Sequence, residues 1–137
     1  MAIHNYITFV ADFPDDAEWD DSGDLLTPGG KEILNFINSS ISKQGLKCSD
    51  VEKHRFYGWS FEVESKDGII WILLQYPGPW LLLLENKNSL FNRLFKLKSN
   101  RDYENVLKII KDLLARDNRF SSIKYYTKEE YEMSFNK

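Results

Sequence analysis

One cysteine, two histidines, four prolines and seven glycines are spread over 137 residues, and each scarcity closes a class of protein. The lone Cys48 has no internal disulfide partner, so nothing points to an oxidising compartment. His4, His54 and Cys48 lack the paired spacing of a zinc site. So little proline and glycine excludes collagen-like and low-complexity architectures. The longest apolar stretch, Ile69 to Leu84, is too short for a membrane span and is broken by Pro77-Gly78-Pro79. The opening residues Met1 to Tyr6 lack the positive region and apolar run of a signal peptide, which makes the cytoplasm the expected location.

Lysine and arginine are missing from residues 1–26, which carry seven acids. The whole chain has net charge −3, which argues against nucleic acid as the main partner, since phosphates demand a basic surface. What is present is a globular composition: 42% hydrophobic, 28% charged and 15% aromatic residues. The length suits one domain, residues 1–137, with one core.

Periodicity outlines that domain. Ile3 to Phe13 reads as an opening strand, with Ile7, Phe9 and Ala11 alternating against Thr8 and Asp12. Thr27-Pro28 reads as a helix start, and Ile33, Leu34, Ile37 and Ile41 recur at helical spacing until Gly45. This predicts a first helix from about Pro28 to Gln44. A three-stranded meander follows over 56–85. Tyr57, Trp59, Phe61 and Val63 alternate, Ser65 to Gly68 turn the chain, and Ile69 to Tyr76 reads as a central strand. Tyr76-Pro-Gly-Pro79 fits a type II turn before Trp80 to Glu85.

Leu90 to Lys98 is ambiguous between strand and helical turn. Ser99 and Asn100 then offer caps for a second helix over Arg101 to Arg116, whose Tyr103, Val106, Leu107, Ile110, Leu113 and Leu114 form one stripe. Phe120 to Tyr126 reads as a last strand, and Thr127-Lys-Glu-Glu130 has capping-box spacing before a short helix. This order predicts an α+β domain, a mostly antiparallel sheet covered by two amphipathic helices. The central strand is apolar on both sides, so the second sheet face needs a cover. The terminal segment is the expected one, ahead of a homodimer through that face.

No catalytic constellation emerges, and neither enzyme activity nor a cofactor is expected. Cys48, Asp50 and His54 span a loop and a strand, a spacing that sets up no nucleophile–base geometry. Gly58-Trp-Ser60-Phe-Glu62 lacks the last glycine of a nucleophile elbow and lies within a strand. A calcium frame centred on Gly23 puts Glu18, Asp20 and Ser22 at ligand positions, but Gly29 falls where a bidentate glutamate is required. Gly29-Gly30-Lys31 lies at a helix start, yet the phosphate-loop spacing is absent and the acids upstream would repel a phosphate.

The feature least like scaffold is Asp12 to Asp24, with seven carboxylates in thirteen residues. Crowded like charges repel and cost stability, so clustering them wants a reason. Trp19 in their midst has the character of an interface anchor ringed by charge. Asp15, Asp16, Glu18, Asp20, Asp21 and Asp24, with Trp19, are therefore the candidate partner-binding surface. Reversing Asp16 and Asp20 to Lys is expected to slow association and leave thermal stability nearly unchanged.

With this acidic loop, aromatic strands such as Phe56-Tyr-Gly-Trp-Ser-Phe61 and no catalytic set, the chain resembles the small cytoplasmic immunity proteins that bacteria carry beside polymorphic or contact-dependent toxins. The resemblance implies stoichiometric inhibition, the acidic surface docking the basic cleft of a toxin or an adjoining exosite. Two alternatives compete. Residues 87–119 carry net charge +5, so Lys96, Lys98, Arg101 and Lys108, with aromatics nearby, could hold a single nucleic-acid strand. A small-molecule pocket between sheet and helices near Trp71, Gln75 and Tyr76 is the other.

Overall fold

The structure, a computed structural model, describes residues 4–55, 57–65, 68–76, 79–87 and 101–134, with Lys87 described by its backbone alone. The expectations for Leu90 to Lys98, for caps at Ser99 and Asn100, and for the turns at 66–67 and 77–78 fall outside the described residues.

The expected α+β class is what the chain adopts. Strand β1 is Tyr6–Ala11, and the short strands β2 (Glu18–Trp19) and β3 (Leu25–Thr27) form a hairpin of their own. Helix α1, Lys31–Ser42, precedes two short strands, β4 (Lys47–Cys48) and β5 (Glu52–His54). The meander is β6 (Gly58–Ser65), β7 (Gly68–Gln75) and β8 (Trp80–Lys87). Helix α2 is Arg101–Arg116, followed by β9 (Phe120–Tyr126) and α3 (Lys128–Met133). The main sheet runs β4-β6-β7-β8-β1-β9, with β5 also on β6, and every described pairing is antiparallel.

Alternation assigns the two faces. Ile7, Phe9, Trp59, Phe61, Val63, Ile70, Ile72, Leu74, Leu82 and Leu84 point to one side and are buried. There they meet Ile33, Leu34, Ile37 and Ile41 of α1, and Tyr103, Val106, Leu107, Ile110 and Leu114 of α2. Each such side chain removed from water contributes about 1.5–3 kcal/mol, so this layer carries most of the stability. Tyr103 keeps its hydroxyl satisfied inside it by donating to the Leu84 carbonyl at 2.9 Å, and burial pushes that phenol up to about 12.

The opposite face carries a smaller cluster, Leu73, Leu81 and Leu83, with Tyr6, Trp71 and Tyr131 packed against it. Tyr131 comes from α3, so the terminal segment covers part of this face. The capping box that starts α3 is formed: the Glu130 N–H donates to Thr127 Oγ1 at 3.1 Å, and the Thr127 N–H to Glu130 Oε1 at 2.9 Å. Trp71 lies on this side, away from both long helices, so it does not line the space between sheet and helices where the small-molecule pocket was expected.

Helix α1 begins three residues later than the sequence predicts. Thr27 does not cap it, because Leu25–Thr27 pair with Glu18–Trp19 instead. The helix starts after Gly30, whose φ of 103° suits only glycine comfortably. A Cβ on Gly30 would lie 2.8 Å from the Trp80 ring, and one on Gly29 would lie 2.8 Å from the Tyr76 ring. The paired glycines let the helix start press onto these aromatics.

Candidate functional site

The acidic segment is built, not loose. At its entrance the Asp12 N–H donates to the Arg119 carbonyl at 2.7 Å. The Phe13 ring packs with Phe36 and Phe120, and the Arg119 guanidinium lies 4.3 Å from the Phe13 ring centre and 4.6 Å from that of Phe36. Further on, Asp16 reaches across to α1. Its Oδ1 accepts the Gly30 N–H at 2.7 Å and its Oδ2 the Glu32 N–H at 2.9 Å. Those N–H groups have no partner within the helix, and the negative charge opposes the positive end of the helix dipole. The carboxylate also occupies the place a phosphate would need at Gly29-Gly30-Lys31.

Asp20 is committed as well. Its Oδ1 accepts the N–H of Ser22 at 2.9 Å and of Asp24 at 2.8 Å, while its backbone N–H donates to the Asp24 carbonyl at 2.9 Å. This is how a short acidic side chain closes a turn on its own backbone. Asp15 Oδ1 accepts the Ala17 N–H at 3.1 Å. Both Asp15 and Asp16 lie close enough to Tyr76 to raise its phenol, after the larger effect of burial.

The seven candidate residues therefore divide. Asp16 and Asp20 accept hydrogen bonds that shape the loop, which counts against the expectation that reversing them to Lys would leave stability unchanged. Glu18, Asp21 and Asp24 lie at the surface of the hairpin with no side-chain hydrogen bond among the described contacts, and Asp15 stands beside them. Trp19 does not fold back onto the core. It is 54% exposed on β2, and Leu26 on β3 is 53% exposed. Leu26 is the residue that sequence reasoning missed, because a leucine before a predicted helix reads as core. The Lys53 amine donates to its carbonyl at 3.4 Å, which sets the hairpin beside β5.

The competing sites fare differently. Cys48 pairs with Val63 and His54 with Gly58 on β6, about 16 Å apart along the strand and on opposite faces. Burial pushes the Cys48 thiol up, away from the thiolate that nucleophilic attack needs. Among the described residues, no three His, Cys, Asp or Glu side chains gather as a metal site would require, and no helix is long and apolar enough to cross a membrane. Of the basic set, Lys96 and Lys98 lie outside the described residues, while Arg101 and Lys108 are exposed on α2. Neighbouring cations are engaged: Lys111 lies 5.0 Å from the centre of the Tyr125 ring, and Arg119 pairs with Asp117 at 2.8 Å. A surface groove of about 410 Å³ between α1 and α2 is lined by Ser40, Lys43, Gln44, Asp112, Arg116 and Asp117, without a nucleophile–base pair.

No protein-family model, curated protein or solved structure matches this chain.

Proposed function

We propose that this protein is a non-enzymatic binding domain of the immunity type, which neutralises a basic bacterial toxin in the cytoplasm by docking it on the β2–β3 hairpin. One observation carries the reading: Trp19 and Leu26, each more than half exposed, stand on a hairpin whose outward charges are Glu18, Asp21 and Asp24. Large apolar side chains held out in water by a pinned backbone are what a protein interface buries at its centre. The carboxylates around them steer a cationic partner and speed encounter, and burial of Trp19 slows release. Pre-ordering by Asp16 and Asp20 spares the complex the entropy of folding the loop on contact.

The test is affinity capture from nuclease-treated native lysate on two matrices, the natural chain and a Trp19→Ala, Asp21→Lys, Asp24→Lys variant. The expected result is one basic protein retained stoichiometrically by the natural chain, released by salt and lost on the variant. Its toxicity on expression should be suppressed by co-expression of the natural chain alone. Equal retention on both matrices overturns the hairpin as the site. Retention found only in a parallel capture from untreated lysate favours a nucleic-acid binder using Arg101 and Lys108.

A further inference from the structure

Strand β9 is the last strand of the main sheet and pairs with β1. On the face away from the long helices, the register sets Lys124 beside Thr8 and Tyr126 beside Tyr6. Cross-strand partners share a face, with Cβ atoms about 4.5–5.5 Å apart. Tyr131 of α3 meets the Tyr126 ring edge-on, centroids 6.0 Å apart, and forms one wall. The result is a groove of about 340 Å³, lined also by Val10, Pro79, Ser122 and Ser134. That volume lies at the small end of the range that ligand sites occupy.

Charge and backbone both single this groove out. Among the described residues that line it none is acidic, and Lys124 is the one cation, in a chain of net charge −3. No described hydrogen bond or ion pair engages the Lys124 amine or the side-chain hydroxyls of Thr8 and Ser122. A lysine on an edge strand discourages pairing with another chain, which accounts for the charge but not for the hydroxyls beside it. The backbone observation is independent. Between the pairs Thr8–Lys124 and Val10–Ser121, β9 sets two residues, Ser122 and Ile123, against Phe9, which makes a bulge. Ser122 has a φ of 51°, and a left-handed bulge residue is ordinarily glycine. Bulges re-aim side chains, and a non-glycine residue kept under such strain marks a place where its side chain has a use. Here that side chain lines the groove with Lys124.

The geometry points to a binding site for a small organic acid. Its carboxylate lies on the Lys124 amine and the Thr8 and Ser122 hydroxyls, and its apolar body on Val10, Pro79 and the Tyr126 ring. The occupant is argued from charge complementarity: an ammonium and hydroxyls donate to a carboxylate, and such charge-assisted bonds are the strong ones. Val10 is 53% exposed, so it has apolar surface for a ligand to cover. Ser134 does not compete as a donor, because its hydroxyl already donates to the Tyr131 carbonyl at 2.6 Å. The site is separate from the hairpin and needs no protein partner.

The experiment is a nuclear magnetic resonance titration of the full chain with phenylpropionate, with its uncharged amide and inorganic phosphate as controls. Methyl signals of Thr8 and Val10 report this groove, and those of Ile109 and Leu113 report the groove between α1 and α2. Saturable movement at Thr8 and Val10 is expected with the acid, and the amide should bind about tenfold more weakly. Lys124→Met keeps the aliphatic stem and should match the natural chain in thermal midpoint, yet bind the acid about tenfold more weakly. Ser122→Gly should hold or raise the thermal midpoint, since glycine suits that φ, and weaken the acid about threefold. A purely structural bulge would show the first change without the second.

Equal affinity for acid and amide overturns the proposal, as does unchanged acid affinity in either variant. Absence of movement at Thr8 and Val10, or movement at Ile109 and Leu113 alone, also overturns it. Phosphate that saturates the same signals at the same concentrations would reduce the site to a bare surface cation and reject it. Movement at Val10 with protein concentration alone would give the groove to a second copy and reject it too. None of these outcomes bears on Trp19, so the hairpin reading stands or falls by its own test.

Discussion

The same strands show two different chemistries on their two sides. Towards α1 and α2, the inward residues of β6 and β7 are Trp59, Phe61, Val63, Ile70, Ile72 and Leu74, all buried. Towards the other side, the same two strands present Ser60, Glu62, Glu64, Ile69, Trp71, Leu73 and Gln75. One face is uniform and answers to packing. The other mixes aromatics, aliphatics and carboxylates, which packing alone does not require. A mixed face is a poorer core, so it contributes less to stability than the face the helices cover. The hairpin repeats the division on a smaller scale: Asp16 and Asp20 serve the fold, while Trp19 and Leu26 face solvent.

The largest effect tests this division directly. Phe61→Ala, inside the helix-covered layer, should cost about 3–5 kcal/mol of unfolding free energy. Trp71→Ala, on the mixed face of the adjacent strand, should cost about 1 kcal/mol despite the larger side chain. Urea unfolding of the two variants makes the comparison. Equal losses would mean that both faces are core, and the division would fall.

Next comes the division among the acids. Asp16→Ala removes two backbone hydrogen bonds at the start of α1, and should destabilise by about 1–2 kcal/mol. Asp21→Ala and Asp24→Ala should stay within about 0.5 kcal/mol. Chemical denaturation separates them, and if Asp16 behaved like Asp21 its clamp on Gly30 and Glu32 would be without consequence in solution.

That clamp also marks where local reading of the sequence stops. The stripe from Tyr103 to Leu114, the alternation of Trp59, Phe61 and Val63, and the box at Thr127 are all local patterns, so their elements were legible. Asp16 acts fourteen residues from Gly30, a separation at which no spacing rule applies. Thr27-Pro28 has the chemistry of a cap, but a hairpin pairing with Glu18 claims the threonine first. The short strands β4 and β5 owe their existence to β6 rather than to a period of their own. The orientation of Trp71 was hidden because β7 is apolar on both sides and defines no parity by itself. Its neighbour does define one: Ser60 and Glu62 alternate with Phe61 and Val63, and the antiparallel pairing that begins at Ser65 and Gly68 transfers that parity to β7. The exposure of Trp19 depended on the hairpin's path and had no local signal.

A smaller effect probes the Tyr103 hydroxyl inside the covered layer. Tyr103→Phe removes the bond to the Leu84 carbonyl and should cost about 1 kcal/mol. The loss is moderated because the Asn5 side-chain amide donates to the same carbonyl at 2.8 Å. The folded phenol titrates near 12 against an ordinary value of 10, so its contribution is complete below pH 10 and is lost as pH rises towards 12. Tyr103→Phe should flatten that alkaline limb of the thermal midpoint, and an unaltered limb would mean the hydroxyl reaches water.

The smallest effect lies at the rim of the covered layer, where Arg119 spreads over Phe13 and Phe36. Asp117 accepts from the Arg119 backbone N–H at 3.0 Å, from its Nε at 3.0 Å and from its Nη2 at 2.8 Å. The side-chain bond above all, with the backbone bond behind it, holds the Asp117 carboxyl at about 2 against an ordinary 3.8. A carboxyl depressed by folding stabilises the native state fully above its unfolded value and ceases to do so as pH falls through its folded value. The Asp117 contribution is therefore present at pH 4 and above, and disappears between there and pH 2. Asp117→Asn should make the thermal midpoint fall less steeply across that window while lowering it slightly at neutral pH. Glu130, held down chiefly by the Thr127 N–H, adds to the same acid limb from the opposite face. A Glu130→Gln variant measured alongside shows how the limb divides between the two faces. If Glu130→Gln alone flattened it, the mixed face would carry the acid sensitivity, and the arginine pair at the rim of the covered layer would be open in solution.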